Sequence, residues 1–225
     1  MNNFLKLKNI SKSYKTEKTI KVLKGLSHNF VKGKIYSIMG PSGSGKSTLL
    51  NLISLIDRPS SGSIMFDNNH INFNNTEEND VFRSKKIGIV YQQNNLLPDF
   101  TALENIYLAS LAVNNNKELA FTNAKKLINK IGLSKRSDHF PSQLSGGEAQ
   151  RVSIARAIVN DPEIILADEP TGSLDMETAK DIFELLNKQK RSDRLIIFAT
   201  HNRFFANKSD YLLEMRDGSI KSSNV

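Results

Sequence analysis

At 225 residues the chain suits one large α/β domain, or one domain with a small inserted lobe, and it can bury a sizeable core. It contains no cysteine, which excludes disulfides, thiolate metal sites and cysteine nucleophiles and fits a reducing compartment. The net charge of +8 would suit nucleic acid or an anionic membrane surface, but the lysines are scattered and form no long block, so the excess reads as a solvated surface and no nucleic-acid partner is expected.

The first residues, Met-Asn-Asn-Phe-Leu-Lys-Leu-Lys, alternate apolar and polar side chains and hold no apolar stretch of signal-peptide length. Phe4–Ile10 and Lys21–Phe30 read as strands of an opening antiparallel section. Lys34–Met39 is a short apolar strand running into a glycine-rich turn, and Ser47–Ile56 has helical periodicity. Ser63–Asp67 is a strand, Asn68–Asn79 an Asn-rich loop and Ile87–Tyr91 another apolar strand. Three helices follow, over Thr101–Val113, Glu118–Ile131 and Gly147–Asn160, with turns at Asn114–Asn116 and Gly132. They are expected to form a helical lobe, about residues 94–162, inserted between the strands of a single domain that spans the chain. Alternation then resumes: strand Glu163–Ala167, helix Met176–Lys190, strand Leu195–Ala199. That order implies a mainly parallel sheet covered on both faces. Tyr211–Met215 and Ser219–Lys221 close the chain as a hairpin across Asp217-Gly218. The longest apolar runs, Ile164–Ala167 and Leu195–Ala199, fall far short of the roughly 20 residues that span a bilayer, so the chain is not expected to cross one by itself.

Gly40-Pro41-Ser42-Gly43-Ser44-Gly45-Lys46-Ser47 fits the G-x-x-x-x-G-K-[ST] pattern in full, with a strand before it and a helix after it. Glycines let the backbone curl so that successive N–H groups point at phosphate oxygens, and the helix adds its positive end. Lys46 is expected to reach the β- and γ-phosphates, and the Ser47 hydroxyl to ligate Mg²⁺; Thr48 completes the nucleotide-binding set. A plain Gly/Ser turn is the alternative, and the flanking elements argue against it. Asp168 and Glu169 stand just past an apolar strand, where open α/β sheets bind their ligands. Asp168 is placed to hold the Mg²⁺ shell and Glu169 to act as general base on the attacking water.

Leu144-Ser145-Gly146-Gly147-Glu148-Ala149-Gln150-Arg151 resembles the signature motif of the ATP-binding cassette family. The phosphate loop, the signature and the acidic strand occur in that family's order, and the resemblance covers essentially the whole chain. It implies the P-loop ATPase fold of cassettes, with an antiparallel N-terminal section and an inserted helical subdomain, and ATP hydrolysis with Mg²⁺. In the family, Ser145, Gly146, Gly147 and Glu148 would contact the γ-phosphate held by a second copy, so ATP would join two copies head to tail. Alternatively Ser145 is simply a helix cap. Further counterparts follow from the same resemblance. Tyr14 is similar to the aromatic that stacks on adenine. Gln92 is similar to the glutamine that joins the Mg²⁺ shell and senses the membrane partner, with Gln93 as a competitor. Asp175, in Ser173-Leu174-Asp175, is similar to the loop that acts across the dimer, and His201 to the switch histidine on the γ-phosphate. Two departures are mild: Asn202 stands where many relatives have Asp, and Ala149 replaces a commoner Gln. His28, His70 and His139 match no catalytic pattern and read as surface or packing residues.

Leu96-Leu97-Pro98-Asp99-Phe100-Thr101-Ala102-Leu103-Glu104-Asn105 resembles the branch that contains lipoprotein-releasing and macrolide- or peptide-exporting cassettes, and is most similar to the lipoprotein-releasing ones. The resemblance implies integral membrane permease subunits as partners and a peripheral position on the cytoplasmic face of the bacterial inner membrane. The macrolide-export and cell-division cassettes are the nearer alternative. Cassettes of DNA repair or translation are the remoter one, since no long coiled-coil insertion and no second cassette is present.

Overall fold

The computed structural model describes residues 3–15 and 17–224. In chain order the elements are β1 (Asn3–Lys15), β2 (Thr19–Val31), β3 (Ile35–Met39), α1 (Lys46–Ile53), β4 (Ser61–Phe66), β5 (Asn69–His70), α2 (Thr76–Lys86), β6 (Ile87–Val90), α3 (Ala102–Asn114), α4 (Lys117–Lys130), α5 (Gly146–Ile158), β7 (Ile164–Asp168), α6 (Met176–Asn187), β8 (Leu195–Thr200), α7 (Arg203–Ala206), β9 (Tyr211–Arg216) and β10 (Ser219–Asn224). The chain divides into two compact units, one of Met1–Arg83 with Lys190–Val225, the other of Ser84–Gln189.

In the first unit an antiparallel sheet runs in the order β2-β1-β4-β5. Alternation along β1 turns Leu5 and Leu7 inward, a register shift at Asn9 (φ 51°) resets the phase so that Ile10 is buried as well, and Leu5 pairs with Phe66 and Leu7 with Ile64 across the ladder. The first two strands are longer than their apolar alternation foretells, because polar residues extend the ladder out to the Lys15–Thr19 pair. A second set of strands centres on β3, which pairs in parallel with both β8 and β9. Ile35–Ile38 and all of β8 are buried, which is why these segments read as unbroken apolar runs. β9 and β10 form the expected hairpin, with Asp217 at φ 48° and Gly218 at φ 77° supplying the two left-handed turn residues.

Two expectations for this unit need correction. α1 stops at Ile53, short of Ile56, because Leu55 takes a left-handed φ of 60° and leads the chain out of the helix. The Asn-rich loop expected through Asn79 is interrupted by β5 and ends where α2 begins at Thr76. α2 has almost no apolar stripe, Asn79 being its buried residue, so periodicity carries no signal for it. Local chemistry forms it: the Asn75 side chain accepts from Glu78 N at 3.2 Å and donates to Glu78 Oε2 at 2.8 Å, and Glu77 and Glu78 sit at the positive helix end.

In the second unit β6 and β7 pair in parallel, Ile87 to Ile164 through Val90 to Ala167. The helices α3, α4 and α5 share an apolar core that includes Ile106, Ala124, Ile128, Val152 and Ala155. Their starts are capped by short polar side chains: Thr101 and Glu104 form a capping box at α3, and Asn116 caps α4 through Leu119 N. Among the described residues no helix is long and apolar enough to cross a membrane.

Candidate nucleotide site

The loop after β3 folds as its composition requires. Gly45 precedes α1 at φ 101°, and a Cβ there would lie 2.9 Å from Leu23 Cδ2. A Cβ on Gly40 would fall 2.2 Å from the Met215 carbonyl oxygen, so both ends of the loop are pressed against other backbone or core. No side chain caps α1 and no acidic residue stands in its first turn, which leaves the positive end of the helix to the loop. The buried Lys46 ammonium arches back to donate to the Gly40 carbonyl at 2.8 Å and the Pro41 carbonyl at 3.2 Å. Ser44 Oγ is buried with no hydrogen-bond partner among the described residues.

Tyr14 lies late in β1, 38% exposed. Its hydroxyl donates to Asp57 Oδ2 at 2.9 Å, and the Lys12 ammonium lies 4.8 Å from the ring centroid. Lys12 also donates to Asp57 Oδ1 at 2.6 Å and to the Arg58 carbonyl at 2.8 Å. Burial opposes ionisation of Asp57, but the Lys12 and Tyr14 hydrogen bonds outweigh it and hold the carboxyl below its ordinary range. Burial, and then Asp57, push the Tyr14 phenol upward. Sequence reasoning singled out Tyr14 and missed Lys12 and Asp57, because a charge pair spanning 45 positions has no local pattern. His201 follows β8 and is exposed. Asn202 caps α7 by accepting from Phe204 N at 2.9 Å, while its own N–H donates to Thr200 Oγ1 at 3.0 Å.

In the second unit Asp168 ends β7 half-buried, and its Oδ1 is screened from solvent with no hydrogen-bond partner among the described residues. An unsatisfied buried carboxylate oxygen is costly. A hydrated divalent cation is the kind of group that would satisfy it, so the donor set fits Mg²⁺. Glu169 takes a left-handed φ of 47°, and its carbonyl accepts from Gly172 N at 3.0 Å. The point where a Cβ on Gly172 would stand is 3.3 Å from Gln92 Nε2 and 3.5 Å from Glu169 Cβ, so the turn brings the Gln92 amide beside Glu169. That placement concerns Gln92 and not Gln93. Arg156 of α5 donates to the Asn95 carbonyl at 2.6 Å and the Asn94 carbonyl at 2.7 Å, clamping the segment just past Gln92. No motif announces Arg156; it acts on backbone carbonyls, which carry no sequence signal.

Ser145 caps α5. Its hydroxyl accepts from Glu148 N at 3.2 Å, and Glu148 Oε2 accepts from Ser145 N at 2.8 Å. Asp175 caps α6, accepting from Glu177 N at 3.1 Å and Thr178 N at 3.0 Å. The Thr178 side-chain and backbone bonds lead the groups that hold its carboxyl low. Gly146 lies near Leu174, and Gly147 against Thr178 of α6, so the two capped turns are neighbours. Of the three remaining histidines, His28 packs edge-on against Phe30 at 4.6 Å, with its pKa lowered by burial. His139 bonds Arg136, and His70 is exposed in β5.

The ABC transporter family profile matches residues 23–172. The lipoprotein-releasing system ATP-binding protein LolD of Rickettsia bellii is 41% identical over 224 residues, covering 99% of each chain. LolD of Wigglesworthia glossinidia brevipalpis is 42% identical over 231 residues, covering all of both. Among solved structures, the dimeric bacterial ABC transporter cassette MJ0796 superposes with a TM-score of 0.91 at 40% identity, covering 98% of each chain. A dimeric post-hydrolysis state of MJ0796 bound to ADP and Pi gives the same TM-score at 39% identity. The phosphate loop, the acidic pair and the capped Ser-Gly-Gly turn stand on the architecture of cassettes, and the chain belongs to the ABC transporter family as an ATP-hydrolysing cassette.

Proposed function

We propose that two copies of this chain close head to tail over two MgATP and thereby drive a separate membrane permease, and that the complex releases lipoproteins from the inner membrane. The observation that supports the dimer is the presence in one chain of two glycine-bearing helix starts of the kind that suit an anion, the Gly40–Ser47 segment leading into α1 and the Ser145–Gly147 turn opening α5. The lipoprotein reading is supported by near-full-length identity of about two residues in five to proteins named LolD. The permease subunits would accordingly be LolC/LolE-like, and the chain would lie peripherally on the cytoplasmic face of the membrane.

In this reading the backbone of Gly40–Thr48 and the Lys46 ammonium hold the phosphates, and Tyr14 stacks on adenine. Ser47, Gln92 and Asp168 would hold Mg²⁺, which neutralises charge on the phosphate oxygens. Glu169 takes a proton from the attacking water, and His201 contacts the γ-phosphate. Ser145–Glu148 and Asp175 serve the nucleotide held by the other copy. The helical lobe, about residues 94–162, carries the signature toward the nucleotide of the other copy and the segment after Gln92 toward the permease. Hydrolysis removes the γ-phosphate contacts and lets the pair reopen. Depletion of the chain in its source cell tests the function: lipoproteins should remain in the inner membrane, and normal sorting would defeat the lipoprotein reading.

A further inference from the structure

The Ser145 turn has a feature at odds with anion binding. Glu148 places a carboxylate in the first turn of α5, bonded to Ser145 N, at the very helix end where a polyphosphate of the other copy would arrive. Acidic side chains stabilise helix starts, yet the same charge repels an incoming anion. The Ser145 backbone bond, leading other contacts, holds the Glu148 carboxyl below its ordinary range, so the charge is present at neutral pH.

Arg136 answers that charge. Its Nε donates to Glu148 Oε1 at 3.2 Å, and its Nη1 lies 3.0 Å from His139 Nε2. A guanidinium only donates, so the His139 ring nitrogen is the acceptor and orients the guanidinium plane. The backbone beneath is anchored on the first turn of α3: Ala102 N donates to the His139 carbonyl at 2.8 Å and Leu103 N to the Ser137 carbonyl at 2.9 Å. The guanidinium is thus held at its outer edge by His139, on a segment whose backbone is anchored to α3. As glue, an ion pair with a side chain nearly half exposed contributes little.

We infer that Arg136 is a positioning residue for the ATPase reaction: it neutralises and holds Glu148 so that the Ser145–Gly147 turn can receive the γ-phosphate of the nucleotide bound by a second copy. The inference rests on the head-to-tail reading above. Arg136 touches neither nucleotide nor water in this account and acts through Glu148.

The test uses the full chain with its native membrane partner, reading the ATP concentration for half-maximal hydrolysis and MgATP-dependent pairing of cassettes. Arg136→Ala should raise the half-maximal concentration roughly two- to fivefold, the range for one charge at a helix start. The deficit should shrink as salt shortens the screening length. Arg136→Lys should restore most of the function. In the Glu148→Gln background Arg136→Ala should cost nothing further, because no charge is left to neutralise. A wild-type concentration dependence in Arg136→Ala overturns the inference. So does an equal defect with and without Glu148→Gln, which would mark Arg136 as scaffolding only. Ser145→Arg separates the two readings. If it abolishes hydrolysis while Arg136→Ala is normal, only the role of Arg136 falls; if it hydrolyses normally, the head-to-tail reading falls with it.

Discussion

Gly88 sits in β6 with its back to α5. A Cβ there would lie 2.2 Å from the Ala157 carbonyl oxygen and 3.1 Å from Pro162 Cγ. The first distance is more than 1 Å inside ordinary contact, which is about 3.5 Å. Overpacking of this kind costs about 1–3 kcal/mol, and a main-chain carbonyl inside a helix cannot swing aside as a side chain can, so the upper end applies. Replacing glycine in a strand returns about 0.5–1 kcal/mol of backbone entropy. The net expectation for Gly88→Ala is a loss of about 2 kcal/mol, which for a chain of this size lowers the melting midpoint by about 4–8 °C. Thermal unfolding followed by circular dichroism reads this directly. Because the displaced element is the helix that Ser145 caps, hydrolysis should fall as well, measured at a temperature where the variant is folded. A midpoint within about 1 °C of wild type would refute the claim that this close approach fixes α5 on β6.

Three further outcomes are expected. Glu169→Gln should bind ATP, hydrolyse it roughly 100- to 10,000-fold more slowly and accumulate as a closed pair in size-exclusion chromatography; turnover near the wild-type rate would remove Glu169 from the role of base. Lys46→Ala should weaken MgATP binding roughly 10- to 100-fold by calorimetry, the worth of a charge-assisted contact, and unchanged binding would count against the cradle. Asp210 accepts from Lys190 Nζ at 2.7 Å and from Ile35 N at 2.7 Å; burial works against its ionisation, but these donors and Lys34 prevail and hold its carboxyl low. A carboxyl depressed in the folded state stabilises above its unfolded value of about 3.9 and ceases to do so as pH falls through the lower folded value. The stability gap between wild type and Asp210→Asn, measured by urea unfolding, should therefore be widest near neutrality and close below about pH 4, and a gap independent of pH would contradict the assignment.

The fold class, the family and the ATPase activity were legible in the chain itself, because phosphate chemistry imposes local spacing. A loop that curls around phosphates must be contiguous, as the proposed cradle Gly40–Ser47 is, the acidic pair follows an apolar strand, and a strand buried on both faces cannot avoid reading as an apolar run. Helix starts were legible for the same reason, since a cap and its N3 partner are three residues apart at Thr101–Glu104 and Ser145–Glu148. What tertiary structure alone decided lies between residues far apart in the chain. Lys12 and Asp57 meet under Tyr14, Arg156 clamps the carbonyls of Asn94 and Asn95, the Gln92 amide lies beside Glu169 at Gly172, and Arg136 reaches Glu148. α2 stayed hidden because its caps act without an apolar stripe. Periodicity records which face of an element is buried; it does not record which distant charge or carbonyl that face will meet, and the surroundings of the candidate site are made of such meetings.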